Sequence, residues 1–259
     1  MRTMRYGSTG LMVSQVNFGV GLLGRLKFGL TPKDGGRVLR SAFELGVNFW
    51  DGADFYGTHP HIREGLRGLD RSQVVVNSKT QATDRATAIA DVERFLRELD
   101  TAYIDTLMLH GVETVEEFER RQGALDGLLA CKERGLVRHV GMSTHVSTGP
   151  IMGVAERDSR IEVVLTLYNR TGAMLKGGTI EEHAEAIRRV YVAGKGVCLM
   201  KVLAQGDLVG QREEAIRAAV AFPHAHAFTI GFRDVAQVEY AVRLAEGKAV
   251  DVHLATRAS

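Results

Sequence analysis

The segment "DRATAIADVERFLREL" (84–99), followed closely by "IDTLML" (104–109), decides the fold class. Apolar residues recur in 84–99 at the spacing of one helix face, and these residues are Ala88, Ile89, Val92, Phe95, Leu96 and Leu99. Thr83 or Asp84 is the expected N-cap. The run 104–109 is almost continuously apolar, which is typical of a strand covered on both faces. The segment therefore predicts a helix followed by a strand of a helix-covered parallel sheet.

Similar short apolar runs recur along the whole chain. They predict strands at 15–20, 47–50, 74–78, 104–109, 136–142, 161–167, 196–201 and 227–231. A second clear helix is predicted over 115–134, with Val115, Phe118, Leu125, Leu128, Leu129 and Cys131 facing inward. Eight strands alternating with helices, with no linker or composition break, predict an α/β fold, a (β/α)8 TIM barrel.

The chain ends complete this prediction. The segment before the first strand, "MRYGSTGLMVS" (4–14), has a Ser-Thr-Gly turn between short extended pieces. It predicts a short N-terminal β-hairpin across the bottom of the barrel. We expect residues 1–259 to form one domain.

Composition is that of an ordinary globular protein, with 45% hydrophobic and 25% charged residues among 259. The formal net charge of +2 comes from scattered Lys and Arg, so neither a nucleic-acid arm nor a membrane patch is indicated. Cys131 and Cys198 are too far apart for a CxxC motif, which disfavours a disulfide framework, a cysteine zinc site and an iron–sulfur cluster. We expect a cytoplasmic chain whose partners are small molecules. Its oligomeric state is not encoded in any readable pattern.

Polar residues stand at the carboxyl ends of the predicted strands, where barrels of this kind place their chemistry. They are Asp51 with Tyr56 in the loop, Lys79, His110, Ser143 with Thr144, Asn169, Lys201 and Arg233. Any one of them is explained as a helix cap or a loop residue. Because all of these ends meet on one face of the barrel, their convergence predicts an active site.

Three segments that contain these residues resemble the segments of the catalytic tetrad of the aldo-keto reductases: "DGADFYG" (51–57), "VVVNSKT" (74–80) and "IDTLMLHG" (104–111). The likeness continues in "GSTGLMVSQVNFGVG" (7–21), "GLVRHVGMSTH" (135–145) and "IGFRDVAQV" (230–238). The resemblance implies reduction of a carbonyl by NADPH or NADH. It also implies that the catalytic residues are Asp51, Tyr56, Lys79 and His110.

The chemistry of the four side chains supports the same hypothesis. A phenol has a pKa of about 10, and a buried ammonium beside it pulls that value down. Lys79 carries such an ammonium, and the Asp51 carboxylate would keep it protonated. Tyr56 would then act as the general acid, while His110 orients the substrate carbonyl by a hydrogen bond.

Six residues are predicted to hold the cofactor: Ser143, Thr144, Asn169, Lys201, Arg233 and Gln237. By the resemblance, Ser143 contacts the nicotinamide carboxamide, Arg233 the adenosine 2′-phosphate and Gln237 the adenine. The pocket departs from the family pattern, which commonly has Asn at 144, Gln at 165 and an aromatic residue at 200, where this chain has Thr144, Leu165 and Met200. NADP is the expected cofactor, with NAD as the alternative.

Four other interpretations compete with reduction. "GVGLLG" (19–24) matches a Rossmann phosphate turn, yet glycines and Pro32 delay any helix to about residue 32. "HPH" (59–61) and "HAH" (224–226) resemble metal pairs of barrel hydrolases completed by His110 or Asp51, but surface or capping histidines are the favoured explanation, and no metal ligand set is predicted. Lys79 or Lys201 has the chemistry of an aldolase Schiff base. A nucleotide-binding redox sensor with little turnover is the fourth interpretation.

Substrate choice depends on loops, and the loop "NRTGAMLKGGTI" (169–180) is the most informative. Gly172, Gly177 and Gly178 allow it to move, and Met174 and Leu175 offer apolar surface. We therefore predict a compact pocket for small apolar or aromatic carbonyl compounds.

Overall fold

The computed structural model describes residues 1–145 and 149–250. Its centre is a closed barrel of eight parallel strands, which confirms the predicted (β/α)8 TIM barrel. The barrel strands are β3 (Val16–Gly19), β4 (Phe49–Asp51), β5 (Val75–Thr80), β6 (Ile104–Leu109), β7 (Val137–Thr144), β8 (Val163–Leu167), β9 (Gly196–Met200) and β10 (Ala227–Gly231). They pair in chain order, and β10 closes the barrel against β3.

Helices surround the barrel. They are α1 (Pro32–Glu44), α2 (His59–Leu66), α3 (Arg85–Leu99), α4 (Val115–Arg120), α5 (Gln122–Glu133), α6 (Pro150–Arg157), α7 (Ile180–Val192), α8 (Arg212–Ala221) and α9 (Val235–Ala245). The predicted cap of α3 is confirmed, because the Asp84 side chain accepts a hydrogen bond from the backbone N–H of Thr87. In the described ranges no helix is long and apolar enough to cross a membrane.

The N-terminal hairpin is also confirmed. Strands β1 (Thr3–Arg5) and β2 (Met12–Ser14) pair antiparallel around the Ser-Thr-Gly turn. Tyr6, between them, is fully buried and packs edge-on against Phe49 with ring centroids 5.3 Å apart. Ser8 donates its backbone N–H to the carbonyl of Gly194, which precedes β9. The hairpin therefore closes the amino end of the barrel.

The two faces of the strands pack against different partners. Side chains that point inward fill the barrel axis, and the apolar ones include Phe49, Val75, Met108, Val163, Leu165, Cys198, Met200 and Ala227. Side chains that point outward join the helices in a larger core. Helix α5 approaches α3 closely at Gly127, where a Cβ atom would lie 2.7 Å from the carbonyl oxygen of Arg85. A glycine is needed there for the two helices to pack.

The prediction of one helix over 115–134 is wrong. The chain forms α4 and α5, which are separated at Arg121 by a backbone conformation with φ −103° and ψ 14°. Arg121 is 4% exposed and turns its side chain toward the barrel. Apolar periodicity continues through the break, since Phe118 and Leu125 are both buried, and for that reason the pattern does not reveal it.

Candidate active site

Asp51 and Lys79 lie on neighbouring strands and point into the carboxyl end of the barrel. Lys79 Nζ donates to Asp51 Oδ1 and to the carbonyl of Gly52, each at 2.7 Å. Both side chains are buried. Burial by itself lowers the pKa of the Lys79 ammonium. The charge and hydrogen bond of Asp51, together with Tyr56, outweigh this effect, so the pKa of Lys79 is raised. Lys79 is therefore a buried cation at neutral pH, as expected from the sequence.

Tyr56 ends a short 3-10 helix, Asp54–Tyr56, that follows β4. The Lys79 Nζ atom lies 5.2 Å from the centroid of the Tyr56 ring. The ring packs on Gly21, where a Cβ atom would lie 3.0 Å from two ring carbons. This contact explains why residue 21 of "GVGLLG" (19–24) is a glycine. The motif does not open an α-helix as a Rossmann turn would, because the next α-helix, α1, begins at Pro32.

The acidity of Tyr56 differs from the expectation. Burial raises the pKa of the phenol, and the Asp51 carboxylate adds to this effect, while the charge and hydrogen bond of Lys79 lower it in part. The net direction is upward, because desolvation of a phenolate outweighs one ammonium that is already paired with a carboxylate. The phenol is thus protonated at neutral pH and able to donate its proton.

His110 follows β6 and completes the group. Its ring is 5.8 Å from that of Tyr56 and 5.2 Å from that of His145, centroid to centroid. Burial, followed by the positive charges around it, lowers the pKa of His110 to about 2, so the imidazole is neutral. Its Nδ1 atom is buried and has no hydrogen-bond partner among the described residues.

A hydrogen-bonded chain behind Asp51 was not predicted from the sequence. Thr106 Oγ1 donates to Asn77 Oδ1 at 2.6 Å, and Asn77 Nδ2 donates to Asp51 Oδ1. The bond from Thr106 fixes the Asn77 amide so that its NH2 group faces the carboxylate. Asn77 on β5 and Thr106 on β6 pair with each other, and each stands two residues before the last inward residue of its strand, Lys79 or Met108. Alternation along the strands is therefore the signal that could have identified them.

A cavity of about 330 Å³ opens beside His110. It is lined by Phe55, Gln81, Thr83, His110, Gly111, Glu117, Arg121 and His145. A larger cavity of about 540 Å³ lies at the amino end, lined by Arg2 and residues of α8 and α9, and contains none of the tetrad. The smaller cavity is the relevant one, because its lining includes His110 and Arg121, whose pKa values are lowered.

The residues predicted to hold a cofactor fall into two groups. Ser143 is buried at the end of β7, and its Oγ accepts from the Gly111 N–H, which leaves the hydroxyl hydrogen for another acceptor. Lys201 is half-buried at the barrel mouth, and Arg233 is exposed in the loop after β10. Neither of these two side chains forms an ion pair within the described ranges.

The other three residues predicted to hold the cofactor form hydrogen bonds within the protein. Thr144 points away from the axis and donates to Glu113 Oε2 at 3.1 Å. Asn169 holds its own loop, donating to the carbonyl of Ala173 and accepting from Thr171. Gln237 Oε1 accepts from the backbone N–H of residue 233 before α9. Leu165 and Met200 are buried on the barrel axis, so the lining there is apolar.

A family model described as the Aldo/keto reductase family matches residues 15–227. The chain belongs to the aldo/keto reductase family. A probable aldo-keto reductase of Glycine max is 29% identical over 55% of this chain and 45% of its own length. An L-galactose dehydrogenase of Arabidopsis thaliana is 28% identical over 53% and 46%. The chain thus spans about half the length of these two curated relatives.

Solved structures agree on the fold. A putative aldo-keto reductase from Pseudomonas aeruginosa superposes with a TM-score of 0.79 at 23% identity and covers 95% of both chains. The holo form of an aldo-keto reductase from Bacillus halodurans gives a TM-score of 0.77 at 20% identity, over 100% of this chain and 95% of its own. At this identity the likeness shows the barrel and nothing finer.

The histidine pairs of this aldo/keto reductase have internal partners. His59 begins α2 and is 1% exposed, with Nδ1 2.6 Å from Glu98 Oε2 and Nε2 2.8 Å from Ser78 Oγ. His61 Nε2 contacts the carbonyl of Leu30 at 2.9 Å. The favoured explanation as surface or capping histidines is therefore wrong for this pair, because both are buried.

The second histidine pair directly precedes β10. His226 accepts from the Val197 N–H at 3.1 Å, at the amino end of the barrel. In the described part of the chain, no group of three or more His, Cys, Asp or Glu is arranged to hold a metal ion.

Proposed function

We propose that this chain reduces small aldehydes and ketones with a reduced nicotinamide nucleotide. The observation that carries the proposal is a protonated phenol, Tyr56, beside the buried ammonium of Lys79 and the neutral imidazole of His110. Carbonyl reduction consumes one hydride and one proton. A bound nicotinamide would supply the hydride, and this chain has to supply the proton and orient the carbonyl.

The side chains divide this work. Tyr56 gives its proton to the carbonyl oxygen as negative charge develops there. Lys79 stabilises the phenolate that remains, because its ammonium is held in place by Asp51. His110, being neutral, orients the carbonyl through a ring N–H and does not compete for the proton. The four residues thus act as one proton-delivery unit.

The mouth of the barrel fits a nicotinamide nucleotide. Ser143 retains a hydroxyl hydrogen for a carboxamide oxygen, and the apolar Leu165 and Met200 suit the face of an aromatic ring. Lys201 and Arg233 offer positive charge to phosphate groups. We propose NADP as the cofactor on the strength of Arg233, with NAD as the alternative.

The class of substrate is inferred from the cavity beside His110. The cavity beside His110 is small and combines the aromatic surface of Phe55 with the amide of Gln81 and the hydroxyl of Thr83. Such a lining suits small carbonyl compounds, whether aromatic or hydroxylated. Among the relatives, the names L-galactose dehydrogenase and D-galacturonate reductase (Hypocrea jecorina) denote sugar substrates, and both types of aldehyde therefore belong in a test.

The first prediction concerns Tyr56→Phe. With a panel of aromatic and hydroxylated aldehydes, wild-type protein should oxidise NADPH, and Tyr56→Phe should lower kcat by a factor on the order of 10² to 10⁴, the contribution of a positioned general acid. The dissociation constant for NADPH should change by less than about threefold, since Tyr56 acts in the transition state. Stopped-flow absorbance and fluorescence titration measure the two quantities.

Tyr103→Phe is the matched control, because Tyr103 stacks with Arg71 at the amino end of the barrel. Wild-type kcat in both variants contradicts the assignment of Tyr56. Tight nucleotide binding by the wild type without turnover of any aldehyde would favour a redox sensor instead.

A further inference from the structure

Arg121, the residue at which α4 and α5 separate, binds the carboxyl ends of two catalytic strands. Its Nη2 donates to the carbonyl of Thr80 and its Nη1 to the carbonyl of His110, both at 2.9 Å, and its Nε donates to the carbonyl of Ala82 at 3.0 Å. Thr80 directly follows Lys79. One planar guanidinium therefore joins the backbone that carries Lys79 to the backbone that carries His110.

The charge of Arg121 is poorly compensated by carboxylates. The nearest one, Glu117 Oε1, lies 3.7 Å from Nη1, whereas the three carbonyl oxygens are at hydrogen-bond distance. A buried guanidinium that faces carbonyl dipoles leaves much of its positive field to act on its surroundings. The break between α4 and α5 allows this burial, because it lets Arg121 turn inward.

The ionisable groups facing the His110 imidazole come from five elements: Tyr56 after β4, Lys79 on β5, Arg121 between α4 and α5, His145 after β7 and Lys201 after β9. Burial is the first cause of the low pKa of His110, and Lys79, His145, Arg121 and Lys201 add to it in that order. The neutral state of His110 therefore does not depend on Arg121 alone, and the main contribution of Arg121 is the geometry of its three hydrogen bonds.

We propose that Arg121 is a positioning residue of the active site: its three hydrogen bonds fix the relative placement of Lys79 and His110. This inference rests on the proposed function for its consequence in turnover. The claim on placement concerns the protein alone.

The chain supplies a matched control in Arg71, which binds the same two strands at their amino ends. Arg71 Nη1 donates to the carbonyl of Val74 at 2.6 Å, and its Nη2 donates to the carbonyl of Tyr103 at 3.0 Å and to Asp105 Oδ2 at 2.7 Å. Arg71→Met therefore removes a comparable guanidinium from β5 and β6 without touching the barrel mouth.

The experiment compares Arg121→Met, Arg121→Lys and Arg71→Met in three measurements. These are the NMR ring resonances of labelled His110 at neutral pH, assigned with His110→Asn, the kcat for aldehyde reduction against pH, and thermal unfolding. Arg121→Met should shift the His110 ring resonances, because the strand end that carries the ring is no longer held. It should also lower kcat by about 10- to 100-fold.

The other two variants test the placement claim further. Arg121→Lys keeps the positive charge but cannot span three carbonyls, so the His110 resonances should again shift and kcat should remain reduced. Arg71→Met should lower the unfolding temperature, leave the His110 resonances unchanged and leave kcat within about twofold of wild type.

Unchanged His110 resonances in a folded Arg121→Met protein overturn the proposal, and so do equal losses of kcat in Arg71→Met and Arg121→Met. If Arg121→Met does not fold, wild-type kcat and unchanged His110 resonances in Arg121→Lys overturn it. A wild type without reductase activity defeats the proposed function instead, and the His110 resonances still decide the claim on placement.

Discussion

Strands β5 and β6 are held by an arginine at each end, and the partners of the two arginines differ. At the amino end, Arg71 shares the carboxylate of Asp105 with Arg138. At the carboxyl end, Arg121 donates to three carbonyl oxygens. A charge paired with a carboxylate contributes mainly to stability, whereas a charge that faces dipoles still attracts negative oxygen.

A second pair of sites shows a similar contrast. Glu162, at the amino end, accepts from Lys132 and His139. At the carboxyl end, Lys201 and Arg233 have side chains without an ion pair in the described ranges. Under the proposed function, these two cations are available to the phosphate groups of a nucleotide.

Lysine substitutions at the two ends should show the largest difference. Lys79→Met should lower kcat by a factor on the order of 10² to 10⁴, because the Tyr56 phenol loses the cation that stabilises its conjugate base. The double variant Tyr56→Phe/Lys79→Met should lose little more than either single one, since the two residues act as a unit. Single-turnover kinetics with saturating nucleotide measure the effect.

Lys132→Met is the counterpart at the amino end, where Lys132 pairs with Glu162. Its kcat should remain near that of wild type, while its unfolding temperature falls. Comparable kcat losses in Lys132→Met and Lys79→Met would show that the two ends do not differ in function, and strict multiplication of the Tyr56 and Lys79 effects would show that they do not act together.

The amino end should instead dominate the response of stability to acid. Burial tends to raise the pKa of Glu162, but hydrogen bonds from His139, Lys132 and the Val140 N–H lower it from 4.5 to about 2. A carboxyl group with a depressed folded-state pKa stabilises the fold above its unfolded value, and the contribution is lost as pH falls from about 4.5 to about 2. The full shift corresponds to at most roughly 3 kcal/mol at neutral pH, and solvent screening of this partly exposed group makes the contribution smaller.

Glu162→Gln tests this directly. Urea unfolding at pH 7 should show the variant less stable than wild type by up to roughly 3 kcal/mol, and the difference should shrink at pH 3. Tyr56→Phe, at the other end, should show no such convergence with wild type. A stability difference between Glu162→Gln and wild type that stays constant with pH would remove Glu162 as the titrating group.

The fold was readable because apolar runs report burial directly. Strands 104–109 and 227–231 have the predicted bounds, and a run that is apolar on both faces fits no common alternative to a covered parallel strand. The clustering of Asp51, Tyr56, Lys79 and His110 was readable because these residues stand at or just beyond strand ends. That Asp51, Lys79 and His110 meet at one mouth follows from eight strands that run parallel.

The remaining features depend on contacts between residues distant in sequence. Arg121 interrupts a helix although the local apolar pattern favours its continuation, because three carbonyls from β5 and β6 compensate its burial. His59 is buried since Ser78 and Glu98, on two other elements, satisfy its ring. Sequence pattern gives the position of such residues along an element, but not the partner that meets them.

The smallest expected effect concerns Arg233, at the edge of the carboxyl end. Its exposed guanidinium has no ion-pair partner within the described ranges, and an adenosine 2′-phosphate would provide one. We predict that wild type binds NADPH more tightly than NADH and that Arg233→Ala weakens NADPH binding by about three- to tenfold, the strength of an exposed charge-assisted contact. The NADH constant should be unchanged, because NADH lacks the phosphate. Arg243→Ala, on the helix that follows and bonded to the carbonyl of Ala249, is the control for general loss of positive charge. Isothermal titration at low and high salt measures both nucleotides, and the NADPH preference should shrink as salt screens the exposed charge. Equal constants for the two nucleotides in wild type would leave NADP without support from Arg233, and equal weakening in Arg243→Ala would replace a specific contact with the summed charge of the surface.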